Sequence, residues 1–238
     1  MPAELFILAI APVAILLAYI WFRDKYEKEP WRMLLSALVL GAVAVLPILV
    51  VESLLSRVEV YFYGEMAVFW RSFVVAGFTE ELFKFGFLLL LIWRIRAFNE
   101  KFDGIVYAVF ISLGFAAVEN VLYVMHYGAP VGWSRALTAV PGHFLFGVSM
   151  GFFVGLAKFY PGKRAAYVFY AYAYPFVLHG TYDFILMSQH PWGLLVFIPF
   201  MVFMWKYGLK KMKQLSDQSV YQSNFKVEED ILKRGLSE

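Results

Sequence analysis

Six ionisable side chains, set in otherwise apolar stretches of the sequence, could together hydrolyse a covalent bond. They are three glutamates, two histidines and one aspartate: Glu80, Glu81, Glu119, His143, His179 and Asp183. A carboxylate can act as a general base on water, and an imidazole can act as an acid, a base or a metal ligand. An ionisable side chain at the centre of a bilayer costs at least about 2.5–3.5 kcal/mol, so each must be paired, hydrated or functional.

The stretches that carry these residues are long and apolar enough to be membrane-spanning helices. Of the 238 residues, 61% are hydrophobic and 16% are charged, and the mean hydropathy is +0.66. A soluble core of this size could not bury so much apolar surface. Crossing a hydrocarbon core of roughly 30 Å takes about 20 apolar residues. The sequence predicts an all-α polytopic membrane protein with about seven transmembrane helices, at 2–22, 34–55, 72–93, 104–126, 136–157, 165–187 and 191–207.

Basic residues are distributed unequally between the two sides of the predicted bundle. Alternate loops and the carboxyl-terminal region hold 17 Lys and Arg residues, whereas the other loops hold three. This bias predicts an extracytoplasmic amino terminus and a cytoplasmic carboxyl terminus. Residues 1–210 are predicted to form the transmembrane domain, and residues 211–238 a polar cytoplasmic tail. The first span lacks the basic segment and cleavage site of a signal peptide and is predicted to be retained.

Five of the six candidate residues are predicted to lie at one depth in the membrane. Consecutive helices run in opposite directions, so the distance of a residue from the outer end of its helix gives its depth. These distances are seven to nine residues, or roughly 10–14 Å at about 1.5 Å per residue, for Glu80, Glu81, Glu119, His143 and His179. The shared level predicts an active site that opens to the extracytoplasmic side.

Helical spacing predicts which of these side chains face one another. Asp183 follows His179 by four residues and therefore shares its face. Lys84 follows Glu80 by four residues and Glu81 by three, so it can pair with either carboxylate. We expect Lys84 to pair with one glutamate and to leave the other for chemistry.

A stripe of small residues on the fifth predicted helix continues the face of His143. Glycines recur at every fourth position after this histidine, at Gly147, Gly151 and Gly155. Small residues at this spacing allow a second helix to approach closely. The stripe therefore predicts that His143 points into the bundle.

Two routes of peptide-bond hydrolysis fit the candidate residues. In the first, a glutamate is the general base on a water molecule with the help of one histidine, and the second histidine and a polar neighbour donate to the oxyanion. In the second, Zn²⁺ binds both histidines and a glutamate, and another glutamate is the base; the predicted ligands are His143, His179, Glu81 and Glu119. The absence of cysteine excludes a thiolate nucleophile and thiolate metal ligands. The residues alone leave both routes open.

Four motifs resemble those of the PrsW family of bacterial intramembrane proteases. They are EExxK (Glu80, Glu81, Lys84), ENxxY (Glu119, Asn120, Tyr123), the single His143, and HGxYD (His179, Gly180, Tyr182, Asp183). The resemblance covers nearly the whole chain. It implies a multi-pass protease of the bacterial plasma membrane that makes the site-1 cut in a single-pass anti-sigma factor during envelope stress. The implied partners are this substrate and the lipid bilayer, with no nucleic acid.

The family is distantly similar to type II CAAX prenyl endopeptidases, which carry EExxxR, FxxxH and HxxxN. Here Lys84 stands one residue before the expected basic position, Ala139 replaces the phenylalanine, and Asp183 replaces the asparagine. The similarity implies that Glu80 and His143 activate water and that His179 with Asp183 holds the oxyanion. An ionised aspartate would repel an oxyanion, so Asp183 is expected to be protonated or to orient His179 instead.

Two other classes of function use polar residues within a membrane. A catalytically inert scaffold like the APH-1 subunit of gamma-secretase would use the same level to hold helices of a partner complex. A proton-coupled transporter would also place Glu and His at mid-membrane, but the sequence shows no inverted repeat. Single replacements of the glutamates and histidines would reduce turnover in a protease and abundance or assembly in a scaffold.

Overall fold

A computed structural model of the chain describes residues 2–222, and all the regular secondary structure in this part is helical. The α-helices are α1 (Ala3–Arg23), α2 (Trp31–Ser56), α3 (Glu65–Phe69), α4 (Thr79–Ile92), α5 (Lys101–Tyr127), α6 (Ala129–Leu137), α7 (Ala139–Phe159), α8 (Arg164–Met187) and α9 (Gly193–Ser216). Short 3₁₀ helices cover Arg57–Tyr61 and Pro161–Lys163, and a π-helical segment covers Trp70–Phe78. The predicted all-α, polytopic architecture is confirmed.

Each predicted span corresponds to a long helical stretch. Five helices within residues 2–222 are long and apolar enough to cross a membrane. The third predicted span is instead a continuous run of α3, the π-helical segment and α4, and the sixth is α8, with its many tyrosines. The short helix α6 was not predicted, and the fifth predicted span begins three residues later than expected, because Thr138 separates α6 from α7. The count of seven crossings and the orientation stay predictions.

Helix α5 forms the centre of the bundle. Every residue from Phe102 to Ala116 is buried, and the helix packs against α7 on one side and α2 on the other. Two glycines allow the close approach to α2: a Cβ at Gly41 would lie 2.0 Å from the Ile111 carbonyl oxygen, and one at Gly114 would lie 2.1 Å from that of Leu38. The backbones are therefore in direct contact at this crossing.

The glycine stripe on α7 makes the corresponding contact on the other side of α5. A Cβ at Gly151 would lie 2.2 Å from the Gly104 carbonyl oxygen, and one at Gly155 would lie 2.2 Å from that of Lys101. At Gly147 the nearest atoms would be 3.0 Å away. The prediction that the stripe receives another helix is confirmed, and the partner is α5.

Replacing Gly151 by Ala is expected to destabilise the protein, because the new methyl group meets rigid backbone and the helices must separate. Overpacking of this kind typically costs about 1–3 kcal/mol. The matched control is Gly86→Ala on α4, where an added Cβ meets nothing within 4 Å. Thermal unfolding in detergent should show a lower midpoint for Gly151→Ala than for Gly86→Ala. Equal midpoints would contradict the close packing of α5 and α7.

The predicted boundary between the transmembrane domain and the tail falls within a helix. Helix α9 runs through position 210 to Ser216. Beyond it, Ser219 donates a hydrogen bond to Glu100 Oε2, and Lys101 donates to Gln218 Oε1 at 3.1 Å. These contacts tie the first part of the predicted tail to the start of α5. The rest of the tail, residues 223–238, lies outside the described residues.

Candidate active site

The paired glutamates lie in the first turn of α4, directly after the π-helical segment. Such segments are rare in proteins and are frequent at functional sites. Glu80, Glu81 and Lys84 are all buried. The Lys84 ammonium donates to Glu80 Oε2 at 3.0 Å and to Glu81 Oε1 at 2.9 Å. The prediction that Lys84 pairs with only one carboxylate was wrong: it bridges both, since positions i+3 and i+4 lie on the same side of the helix.

Helix α8 approaches the π-helical segment closely at two glycines. A Cβ at Gly77 would lie 3.1 Å from the backbone nitrogen of Gly180. A Cβ at Gly180 would lie 2.3 Å from the ring of Phe73. Larger residues at these positions would push the two elements apart. Because Gly180 directly follows His179, this contact places the imidazole beside the two glutamates.

His179 is held between carboxylates on both of its ring nitrogens. Its Nδ1 donates to Glu81 Oε1 at 2.9 Å. Its Nε2 lies 3.4 Å from Asp183 Oδ2 and 3.9 Å from Glu80 Oε2. A histidine that donates one nitrogen to a carboxylate has its ring orientation fixed, so that the other nitrogen is presented for chemistry. The predicted shared face of His179 and Asp183 is confirmed.

His143 joins the third glutamate to the same network. Lys84 Nζ lies 3.3 Å from His143 Nδ1, and His143 Nε2 lies 3.0 Å from Glu119 Oε2. Because an ammonium can only donate, Nδ1 accepts and Nε2 carries the proton that Glu119 accepts. Ser112 donates to the backbone oxygen of His143 at 2.7 Å. The imidazole rings of His143 and His179 are 5.4 Å apart, centre to centre.

Arg135 completes the group, although by sequence it is an ordinary basic residue of an outer loop. It lies on the unpredicted helix α6 and donates to Glu119 Oε2 at 2.5 Å and to Asn120 Oδ1 at 2.9 Å. Its guanidinium lies 4.0 Å from the centre of the Tyr123 ring. Asn120 also donates to the Ala9 carbonyl at 2.7 Å and so holds α1 to α5. The sequence offered one indication of this contact, because a glutamate inside a membrane, such as Glu119, requires a partner.

These side chains surround one cavity of about 690 Å³. Five of the six predicted site residues line it: Glu80, Glu119, His143, His179 and Asp183. Two further ionisable residues of the lining, Glu52 and Arg135, were not predicted as site residues from the sequence. Glu81 and Lys84 do not line the cavity and are fully buried behind it. Glu52 is near the end of α2, where the sequence gives no sign that it faces inward. The cavity lies among the helix ends that are predicted to be extracytoplasmic.

Three residues at the cavity wall or directly behind it could hold a metal ion. Glu80, Glu81 and His179 each offer one ligand atom, and these atoms all lie within 4.8 Å of one another. Carboxylate oxygens and an imidazole nitrogen are ligands of catalytic zinc, and Glu81 Oε2 is buried without a hydrogen-bond partner. The donors therefore fit Zn²⁺. Two of the predicted ligands belong to this group, whereas His143 and Glu119 pair with each other beside it.

Comparison with known proteins gives a consistent family relationship. Residues 29–207 match the family described as "PrsW family intramembrane metalloprotease". The chain is 39% identical to Protease PrsW of Bacillus subtilis over 214 residues, which cover 90% of this chain and 96% of the relative. It is 36% identical to Protease PrsW of Clostridioides difficile over 225 residues, covering 92% of this chain and 94% of the relative. No solved structure matches the chain.

Proposed function

The chain belongs to the PrsW family and is a multi-pass, intramembrane endopeptidase, and we propose that its substrate is a single-pass anti-sigma factor. In this proposal the protein makes the site-1 cut at the outer side of the bacterial plasma membrane. The observation that supports this most directly is the cavity, which joins the imidazoles of His143 and His179 to four carboxylates near helix ends predicted to be extracytoplasmic. Its volume is within the range of about 300–1,000 Å³ typical of ligand sites.

Glu80 is the general base in this proposal. It lines the cavity, whereas Glu81 is covered. Glu80 accepts a proton from a water molecule as the water oxygen forms a bond to the scissile carbonyl carbon. It then returns the proton to the leaving nitrogen as the carbon–nitrogen bond breaks, so no net proton is lost. The Oε1 atom of Glu81 positions Lys84 and His179, since it accepts a hydrogen bond from both.

The Glu119 side of the cavity binds and orients the substrate. His143 and Arg135 both donate to Glu119 Oε2, which fixes this carboxylate at the cavity wall. Glu119 accepts a hydrogen bond from a substrate backbone N–H through its other oxygen. Both ring nitrogens of His143 are engaged by protein groups, so His143 is assigned a positioning role, and Asp183 orients His179.

The protease is proposed to be zinc-dependent. Glu81, through its unpartnered Oε2, and His179 would hold the ion beside Glu80, which remains the base; when bound, the ion supplies a Lewis acid for the scissile carbonyl and for water. The Lys84 ammonium lies within 3.0 Å of both carboxylates. It therefore balances the negative charge of the glutamates and fixes their orientation.

Cleavage of a co-reconstituted anti-sigma factor tests the substrate and the metal together. Purified protein in proteoliposomes is expected to cut the anti-sigma factor at one position on its extracytoplasmic side, to contain near-stoichiometric zinc, and to lose activity on chelation. Adding Zn²⁺ back should restore the activity. Mass spectrometry of the fragments and of the metal content provides both measurements.

Two controls separate the parts of the proposal. An unrelated single-pass protein should remain intact, and its equal cleavage would contradict the substrate assignment alone. Full activity in metal-free protein would contradict zinc dependence and leave Glu80 as the base of a glutamic protease. Failure of folded, zinc-loaded protein to cut the anti-sigma factor would contradict the proposed site-1 role.

A further inference from the structure

A second group of carboxylates lies at the opposite end of α5 from the active site. Asp24, Glu27 and Glu29 belong to the loop between α1 and α2, and Glu100 and Asp103 are at the start of α5. Along the helix axis, the sixteen residues that separate position 103 from position 119 correspond to about 24 Å. This group is therefore separate from the protease cavity, at helix ends predicted to be cytoplasmic.

Three of these carboxylates converge with one oxygen each left unsatisfied. Glu27, Glu29 and Asp103 offer ligand atoms that all lie within 4.8 Å of one another. One oxygen of each is held by the protein: Asn99 Nδ2 donates to Glu27 Oε1 at 3.1 Å, Tyr107 donates to Glu29 Oε2, and backbone amides donate to Asp103 Oδ2. The second oxygen of each is buried and accepts no hydrogen bond from a donor group within residues 2–222, and Glu29 and Asp103 lie close enough to share a proton.

The buried, unpartnered carboxylate of Asp24 is a separate indication of a ligand at the same place. It is 1% exposed, and neither of its carboxylate oxygens has a hydrogen-bond partner among the described residues. It interacts electrostatically with the carboxylates of Glu27, Glu29 and Glu100, which places it against the group. Buried polar atoms in folded proteins are nearly always satisfied by protein, water or an ion.

The described part of the chain places no cation in direct contact with this group, although the Lys28 ammonium acts on Asp24 from a greater distance. None of its Lys, Arg or His side chains lies within 4.0 Å of the carboxylates of Asp24, Glu27, Glu29 or Asp103. The nearby Lys28 donates instead to the backbone oxygens of Trp21 and Asp24.

The local electrostatics favour a partner for these carboxylates. Burial, together with the charges of neighbouring carboxylates, raises the pKa of Asp24 and that of Glu29 to about 7, even though Lys28 opposes the rise at Asp24 and a hydrogen bond from Tyr107 opposes it at Glu29. Several buried carboxylates in contact cannot all be ionised without compensation, because like charges disfavour each other's ionised form. A bound proton or a bound cation would supply this compensation.

We propose that Glu27, Glu29 and Asp103, with Asp24 beside them, bind one divalent hard cation of the Mg²⁺ and Ca²⁺ class. The donors are all oxygen, the set these ions prefer, with no nitrogen or sulfur ligand of the kind zinc favours. The ion joins the loop between α1 and α2 to the start of α5. Glu100, beside this group, accepts a hydrogen bond from Ser219. By ordering the start of α5, the same ion would also help to hold the segment after α9 in place.

Calorimetric titration of the full-length protein in detergent with CaCl₂, or separately with MgCl₂, tests this site. We expect saturable binding of one ion and a rise in the thermal unfolding midpoint, since a ligand of the native state stabilises it. A Ca²⁺ response without a Mg²⁺ response indicates a large, flexible site, and the reverse indicates octahedral coordination. Binding that persists in Glu80→Gln assigns the ion to this group and not to the protease cavity.

Isosteric variants locate the ion. Asp24→Asn combined with Glu27→Gln is expected to weaken binding by at least about 10-fold, the lower bound for loss of an outer-sphere partner. Glu59→Gln, which alters a carboxylate outside the group, should bind normally. The proposal is overturned if neither ion binds or shifts the wild-type midpoint, because shared protons then satisfy the group. It is also overturned if the double variant binds as tightly as wild type. Should the double variant not fold, the wild-type and Glu29→Gln titrations decide.

Discussion

Replacing Glu80 by Gln is expected to lower kcat for substrate cleavage by about 10²–10⁴-fold, the contribution typical of a positioned general base. Gln has nearly the same shape but cannot accept the proton from water. Lys84 retains its second carboxylate partner, Glu81, in this variant. The folded bundle should therefore survive, and the loss should be seen in turnover with little change in protein abundance.

The control for this prediction is Glu65→Gln, which changes an exposed carboxylate at the start of α3, fifteen residues before Glu80. Its cleavage rate should match that of wild type. Initial rates in proteoliposomes, normalised to folded protein, provide the measurement. Wild-type turnover by Glu80→Gln would remove Glu80 from the chemistry. A loss of abundance in place of turnover would support the inert scaffold reading.

Replacing Lys84 by Met is expected to reduce the free energy of unfolding by about 3–5 kcal/mol, the usual effect of removing one partner from a buried ion pair. The Lys84 side chain is fully buried and contacts two carboxylates and the His143 ring. Its removal leaves Glu80 and Glu81 side by side without their cation. The measurement is the thermal unfolding midpoint in detergent.

A double variant separates charge from packing in this prediction. Glu80→Gln added to Lys84→Met removes one of the two uncompensated charges and should recover part of the lost stability. Lys158→Met supplies a second control, because this lysine donates to a backbone carbonyl at 2.6 Å and pairs with no carboxylate among the described residues. If Lys84→Met unfolds at the wild-type midpoint, the ion pair does not stabilise the bundle.

The membrane depth and the residue types of the site could be predicted from the sequence, because both follow from the spacing of residues along single helices. Helix rise sets depth, and i, i+4 spacing sets facing, so the convergence of Glu80, Glu119, His143 and His179 could be inferred without coordinates. The glycine stripe on α7 likewise indicated a close helix contact. These predictions depend only on distances along single helices.

The remaining features depend on packing between helices and could not be inferred in this way. Which of Glu80 and Glu81 faces the cavity is decided by the rotation of α4 after the π-helical segment, and no spacing rule predicts that segment. Arg135 required the short helix α6, whose nine residues resemble a loop in composition. Glu52 is placed at the cavity by how α2 crosses α5, which depends on both partners.

The burial of the helices has a consequence for how the sequence can diverge over time. In α1 only 17% of the most apolar window is buried within the protein, compared with 100% for the α6–α7 stretch. An apolar residue that faces lipid can be exchanged for another with little effect, since lipid tails make no shape-specific contacts. A change on α7 alters a protein contact every time. Neutral substitutions are therefore expected to accumulate in α1 and to be rare in α7. Related proteins should then differ most in the lipid-facing helix and least in the buried helix that carries His143.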